Sequence, residues 1–188
     1  MTHLIDHLET GVNWNKIFGV VESLYTDKGF SSNADNFARA TAVEKAIDKF
    51  SDLKRVDQTG YDFVWQSPDG TEVRIEMKMG KNLFFKRTPH KTKKFKVKSF
   101  LSEKKTVEDF KQNKTFDYML VLDLTAYRVI VVEDEVARSL YEDGADGAMI
   151  ELNLGNYYEC DLAEVTPIMP PQVLSQKLEQ AVDDYLNF

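Results

Sequence analysis

At 188 residues the chain is long enough for one domain with a sizeable core and too short for a second full one; its 43% hydrophobic, 12% aromatic and 29% charged composition is that of an ordinary globular protein. The single cysteine, Cys160, excludes an intrachain disulfide framework and a cysteine-based zinc site. The formal charge is −7, no apolar run is long enough to span a bilayer, and no charged-then-apolar leader opens the chain, so an intracellular, cytoplasmic location without a membrane partner is expected.

Residues 1–28 predict a helical lead-in, with Leu4, Leu8, Val12, Ile17, Val20, Val21 and Leu24 loosely spaced and Gly11 and Gly19 interrupting. His3 and His7 stand one helical turn apart, a spacing that can bind metal; with no third ligand nearby they read as surface residues. A second helix is expected from about Ser31–Asp35 to Phe50, buried through Phe37, Ala40, Val43, Ile47 and Phe50, with Arg39, Lys45, Asp48 and Lys49 towards solvent. Glu44 falls beside that buried stripe, where a carboxylate must be paired or coordinated. Two accounts stand open for it: it reaches solvent or a lysine, or it reaches towards the acidic pair described next.

The central stretch is Tyr61–Lys78, two alternating runs around Ser67-Pro68-Asp69-Gly70, the signature of a β-hairpin. Pro68 presets the first corner of a type I turn and Gly70 supplies the left-handed residue after it, which sets Ser67 opposite Thr71. Counting back from that pair puts Asp62 directly across from Glu76, with Lys78 on the same face as Glu76. Opposed side chains lie roughly 5 Å apart, so two carboxylates there need a positive charge between them, from a divalent metal and the ammonium of Lys78. The other face carries Tyr61, Phe63, Trp65, Val73, Ile75 and Met77, and a slip of one residue would expose all of them. A hairpin face with ordinary solvated charges is the plain alternative.

From Lys78 to Lys98 there are nine lysines or arginines and no acid, a local +9 that leaves −16 on the rest of a chain of −7. Phe84, Phe85, Phe95 and Phe100 interleave with these cations, which suits polyanion binding; a solvated loop is the bland account. Beyond it, Thr106–Asn113 reads as a short helix and Asp117–Leu124 as a central strand buried on both faces. Tyr127–Glu133 reads as a further strand, and Asp134 as the cap of a helix holding Val136, Leu140 and Tyr141. Met149–Leu154 and Tyr157–Val165 read as later strands or extended connections, and a final amphipathic helix starts near Gln172. Helix, hairpin, strand-rich middle and helix predict an α/β or α+β fold around a mixed central sheet, as one domain over 1–188.

Asp62, thirteen residues, then Glu76-Met77-Lys78, preceded by a helix bearing Glu44 and followed by an apolar strand, resembles the PD-(D/E)XK nuclease superfamily. Its restriction-endonuclease-like core runs helix, three-stranded meander, helix, strand, and the resemblance covers roughly residues 34–133, with both ends as additions. Gly60-Tyr61 stands where a proline often precedes the aspartate. The resemblance implies Asp62, Glu76, Lys78 and Glu44 as catalytic residues. Asp62, Glu76 and the backbone carbonyl of Met77 would be hard oxygen ligands for Mg²⁺, with Mn²⁺ substituting, and Glu44 would serve a second ion or a water-mediated contact. Lys78 would orient the attacking water. Lys81, Lys86, Arg87, Lys91, Lys93, Lys94, Lys96 and Lys98 would contact the phosphates of double-stranded DNA. The expected protein is a type II restriction endonuclease acting as a homodimer and leaving 5′-phosphates. No P-loop or Ser/His/Asp pattern competes, and no nucleotide cofactor is expected. A junction-resolving, repair or phage nuclease and a non-catalytic DNA-binding module are the alternatives.

Overall fold

A computed structural model describes residues 2–26, 33–58, 60–80, 95–98, 115–124, 126–139, 141–144, 147–152, 156–163 and 165. Its contacts group into two compact units: one holds the described residues up to Arg55 together with Leu162, Ala163 and Val165, the other runs from Val56 to Asp161. The expected helices over 106–113 and from Gln172 lie outside the described residues.

In the first unit the lead-in forms two helices, α1 (Thr2–Thr10) and α2 (Trp14–Thr26). The break comes at Gly11, whose amide closes α1 on the His7 carbonyl at 2.7 Å, and α2 restarts behind Asn13, whose side chain accepts from the Lys16 amide at 3.2 Å. Leu4, Ile5 and Leu8 of α1 and Trp14, Ile17, Phe18, Val20, Val21 and Leu24 of α2 are buried, and the Trp14 indole donates to the Leu8 carbonyl at 2.6 Å. The third helix, α3 (Asn33–Phe50), packs on α2 and buries Ala42, Val43, Ala46 and Ile47.

Arg39 is a correction to the expected solvent face, because it is only 8% exposed. The buried arc passes through 39, 42, 43, 46 and 47, so it is centred about one residue away from the predicted stripe at Ala40. His7 is likewise half-buried rather than a surface residue, and burial holds its imidazole below the ordinary value of 6.5 while the Asp52 carboxylate acts in the other direction.

The second unit is built on a mixed sheet of the α/β class, in the order β1 (Lys54–Gln58), β2 (Tyr61–Gln66), β3 (Glu72–Gly80), β5 (Tyr118–Asp123), β6 (Arg128–Glu133) and β9 (Tyr158–Glu159). The unit boundary falls within β1, whose Lys54-Arg55-Val56-Asp57-Gln58 has little alternation to mark it in the sequence. Strand β3 pairs antiparallel with β2 and parallel with β5, while β5–β6 and β6–β9 are antiparallel. Residues Met119 to Leu124 are all buried, the two-sided burial that the apolar run predicts. Helix α4 (Asp134–Ser139) packs on β5 and β6, and it is shorter than expected: Tyr141 opens a strand, β7 (Tyr141–Gly144), instead of continuing the helix.

A separate three-stranded sheet sets β8 (Gly147–Leu152) between β4 (Phe95–Lys98) and β7 (Tyr141–Gly144), all antiparallel. Among the described residues no helix is long and apolar enough to cross a membrane.

Candidate functional site

The β2–β3 hairpin adopts the predicted turn. The Ser67 amide donates to the Thr71 carbonyl at 2.9 Å, the Gly70 amide donates to the Ser67 carbonyl at 2.8 Å, and Gly70 takes a φ of +84°. The pairs Phe63↔Ile75, Val64↔Arg74, Trp65↔Val73 and Gln66↔Glu72 are those the turn dictates. Phe63, Trp65, Val73, Ile75 and Met77 are buried, so turn chemistry and hydrophobic alternation select the same register.

Continued one step, that register sets Asp62 against Glu76. The ladder gives way there to a side-chain contact: Asp62 Oδ2 accepts from the Met77 amide at 2.6 Å, while Oδ1 takes no hydrogen bond from the described residues. Glu76 Oε1 is ion-paired to Lys78 Nζ, two residues along the same strand and on the same face. These two side chains are 17% and 25% exposed, so the pair is partly shielded but open on one side. On the β5 side, Met119 stands beside Glu76 and Val121 beside Lys78, both 1% exposed, and they give the charged cluster an apolar neighbour. Asp62, Glu76 and Lys78 are thus brought together by one hairpin.

Two further features hold this hairpin in place. Gly60, at the entry to β2, has a φ of +103°, and a Cβ built on it would lie 2.9 Å from the Thr115 Cβ. A proline, fixed at negative φ, does not fit position 60. At the start of β3, the Arg74 amide and guanidinium Nε both donate to Asp117 Oδ2, at 2.8 and 3.4 Å, and the Asp117 amide donates to the Arg74 carbonyl at 2.8 Å. This exchange locks the first rung of the parallel β3–β5 pairing, Ile75↔Tyr118. The sequence reading missed it; the available signal was an aspartate just ahead of an apolar strand.

Glu44 belongs to the first unit and is 14% exposed, with its Oε2 accepting from the Arg55 guanidinium Nε at 2.7 Å. The same arginine's amide donates to Asp48 Oδ1 at 3.1 Å. The carboxylate at the edge of the apolar stripe is therefore compensated by a cation, an arginine in place of the expected lysine. Lys81, Lys86, Arg87, Lys91, Lys93 and Lys94 lie outside the described residues. Lys96 and Lys98 fall in β4, at the register positions opposite Glu151 and Met149 of β8.

Among the described residues no group of three or more His, Cys, Asp or Glu side chains converges as a metal site. Two carboxylates suffice for a magnesium ion, which takes one or two of them together with waters and substrate phosphates. The donor set of Asp62, Glu76 and the Met77 carbonyl is all hard oxygen, and a cation already rests on Glu76 in the form of the Lys78 ammonium. The residues present fit a small divalent ion. Comparison with family models, with curated proteins and with solved structures finds no match to this chain.

Proposed function

We propose that this protein is a metal-dependent endonuclease that hydrolyses phosphodiester bonds of double-stranded DNA, and within that class a type II restriction endonuclease working as an intracellular homodimer. The observation that carries this reading is that one hairpin holds Asp62, through the Met77 amide, next to the strand on which Glu76 is paired with Lys78. The order α3, β1, β2–β3 hairpin, then β5 laid parallel to β3, supports a restriction-endonuclease-like core.

The residues divide the work as follows. Asp62, Glu76 and the Met77 carbonyl would hold Mg²⁺ or Mn²⁺, which when bound neutralises charge on the phosphoryl oxygens and makes water more acidic. The Met77 amide holds Asp62 through Oδ2, and Oδ1 would serve as the ligand oxygen. Lys78 orients the attacking water and offsets the negative charge that builds as it adds to phosphorus. Bond cleavage leaves a 5′-phosphate and a 3′-hydroxyl. The lysines and arginine from Lys81 to Lys98 supply phosphate contacts along the duplex, and a two-fold dimer places one site on each strand of a palindromic target. Glu44 is paired with Arg55 within the first unit.

Purified protein incubated with supercoiled and linear duplex DNA of mixed sequence, with Mg²⁺, Mn²⁺ or chelator, tests the reading on a gel. Discrete metal-dependent fragments with 5′-phosphate ends are expected. A smear overturns the restriction assignment and leaves a nuclease of repair or phage type. Intact linear, branched and single-stranded substrates in every condition overturn the enzyme, and a salt-sensitive mobility shift alone then identifies a binding module.

A further inference from the structure

Strand β3 sets Arg74, Glu76 and Lys78 on one face, at the half-buried positions of its alternation, with Val73, Ile75 and Met77 buried on the other. Arg74 is the next side chain along from Glu76, about 7 Å away at two residues of strand rise. Its backbone and its side chain are held differently. The Arg74 amide donates to Asp117 Oδ2 at 2.8 Å, and the Asp117 amide donates to the Arg74 carbonyl at 2.8 Å. Any residue but proline supplies those two bonds. The guanidinium adds one long contact, Nε to the same oxygen at 3.4 Å. Arg128 and Arg138, by contrast, each give two nitrogens to one carboxylate, that of Glu159 and of Asp134.

The Arg74 guanidinium lies over the Tyr61 ring, with Cζ 5.9 Å from the centroid, and the side chain is 34% exposed. Among the described residues nothing engages Nη1 or Nη2, and neither is buried. Asp117 and Tyr61 thus steady a planar cation whose outer two-donor edge stays open.

We infer that Arg74 is a phosphate-binding residue: Nη1 and Nη2 take two oxygens of one phosphodiester group, a neighbour of the group that is cleaved. The inference rests on the reading of this face as a DNA-cleaving site. A phosphate's oxygens match the planar fork, and Arg74 carries the fork where Lys78 carries a point charge. Asp117 and Tyr61 act through Arg74 as positioning residues. A contact to phosphate supplies affinity and register without sequence preference.

Binding of labelled duplex DNA by fluorescence anisotropy, with Ca²⁺ replacing Mg²⁺ and again in chelator, tests the inference without turnover. Wild type, Arg74→Gln, Arg74→Met and Arg74→Lys are compared over a range of salt. The two neutral variants are expected to bind about tenfold or more weakly, the loss of a charge-assisted hydrogen-bonded contact. The loss should be similar on duplexes of different sequence, and the slope of log affinity against log salt should flatten by about 1. Arg74→Lys should keep the wild-type slope and recover only part of the affinity, since an ammonium lacks the fork. Thermal midpoints should stay within a few degrees of wild type, because the backbone bonds to Asp117 remain. Wild-type affinity and slope in a folded neutral variant overturn the phosphate contact and leave the nuclease reading standing. Unfolding of both neutral variants identifies a structural arginine and overturns the contact as well. Wild type that binds no duplex in either condition overturns both.

Discussion

Asp62 Oδ2 receives the backbone amide of Met77 at 2.6 Å, so the first carboxylate of the cluster is fixed by the strand that carries the second. One hairpin therefore sets both the spacing and the orientation of the acids. Asp62→Asn retains an acceptor for that amide and removes the charge. The variant is expected to keep the wild-type thermal midpoint within a few degrees while metal-dependent cleavage falls roughly a hundredfold or more, since charge stabilisation by a metal is worth several kcal/mol. Circular dichroism melting and a cleavage time course check the two halves; activity near wild type would remove Asp62 from the site.

Gly60 tests the entry to β2. Alanine there must adopt a φ of +103° and place its Cβ against Thr115. Gly60→Ala is expected to destabilise the fold by about 1–3 kcal/mol, the usual cost of a non-glycine residue in such a conformation with added crowding. Urea unfolding measures it, and a change within about 0.5 kcal/mol, as at an ordinary surface position, would contradict it.

Asp117 tests the clamp between β3 and β5. Asp117→Ala strips the partner from the Arg74 amide and guanidinium and should cost about 1–2 kcal/mol, since hydrogen bonds to a charged group are worth about 1.5–3 kcal/mol and this one is partly exposed. Asp117→Asn keeps an acceptor for the amide and should cost less. The ranking of the two variants in chemical denaturation is the check, and equal losses would mean the hydrogen bonds contribute little.

His7 gives a pH dependence. Burial favours its neutral form in the folded chain, with Asp52 acting in the opposite sense, so its pKa lies below the ordinary 6.5. As pH falls below 6.5 the unfolded chain takes up the proton first, and stability is lost; above 6.5 the residue contributes no slope. His7→Gln should flatten the decline in thermal midpoint as pH falls below 6.5 and leave the neutral region unchanged. Superimposable profiles for the two proteins would contradict it.

The hairpin was legible because two independent signals agreed. Pro68 and Gly70 name the turn and hence the pairing, and the alternation of Phe63, Trp65, Val73 and Ile75 names the buried face, so the pairs from Gln66↔Glu72 to Phe63↔Ile75 follow by counting. The buried strand β5 was legible from its continuous apolar run. Strand β1 was not, because Lys54–Gln58 is polar and its pairing is set by neighbours rather than by its own pattern. Arg39 was misread because a long side chain looks solvent-seeking in sequence, whereas its helix position lies one turn from Ala42 and Val43 on the buried arc. Glu44 kept two readings in sequence since position alone cannot name a partner eleven residues away, and the partner is Arg55. The parallel pairing of β3 with β5, and the Arg74–Asp117 exchange that begins it, join residues more than forty positions apart, beyond any local pattern.

The central claim is that Glu76 and Lys78, held on one strand opposite Asp62, perform metal-dependent DNA cleavage. The most direct measurement compares wild type, Glu76→Ala and Lys78→Ala, each shown to be folded, on one duplex substrate with Mg²⁺ and with chelator. Cleavage by wild type in Mg²⁺ alone, lost in both variants, is the predicted result. Cleavage that survives in Glu76→Ala or in chelator would contradict the account.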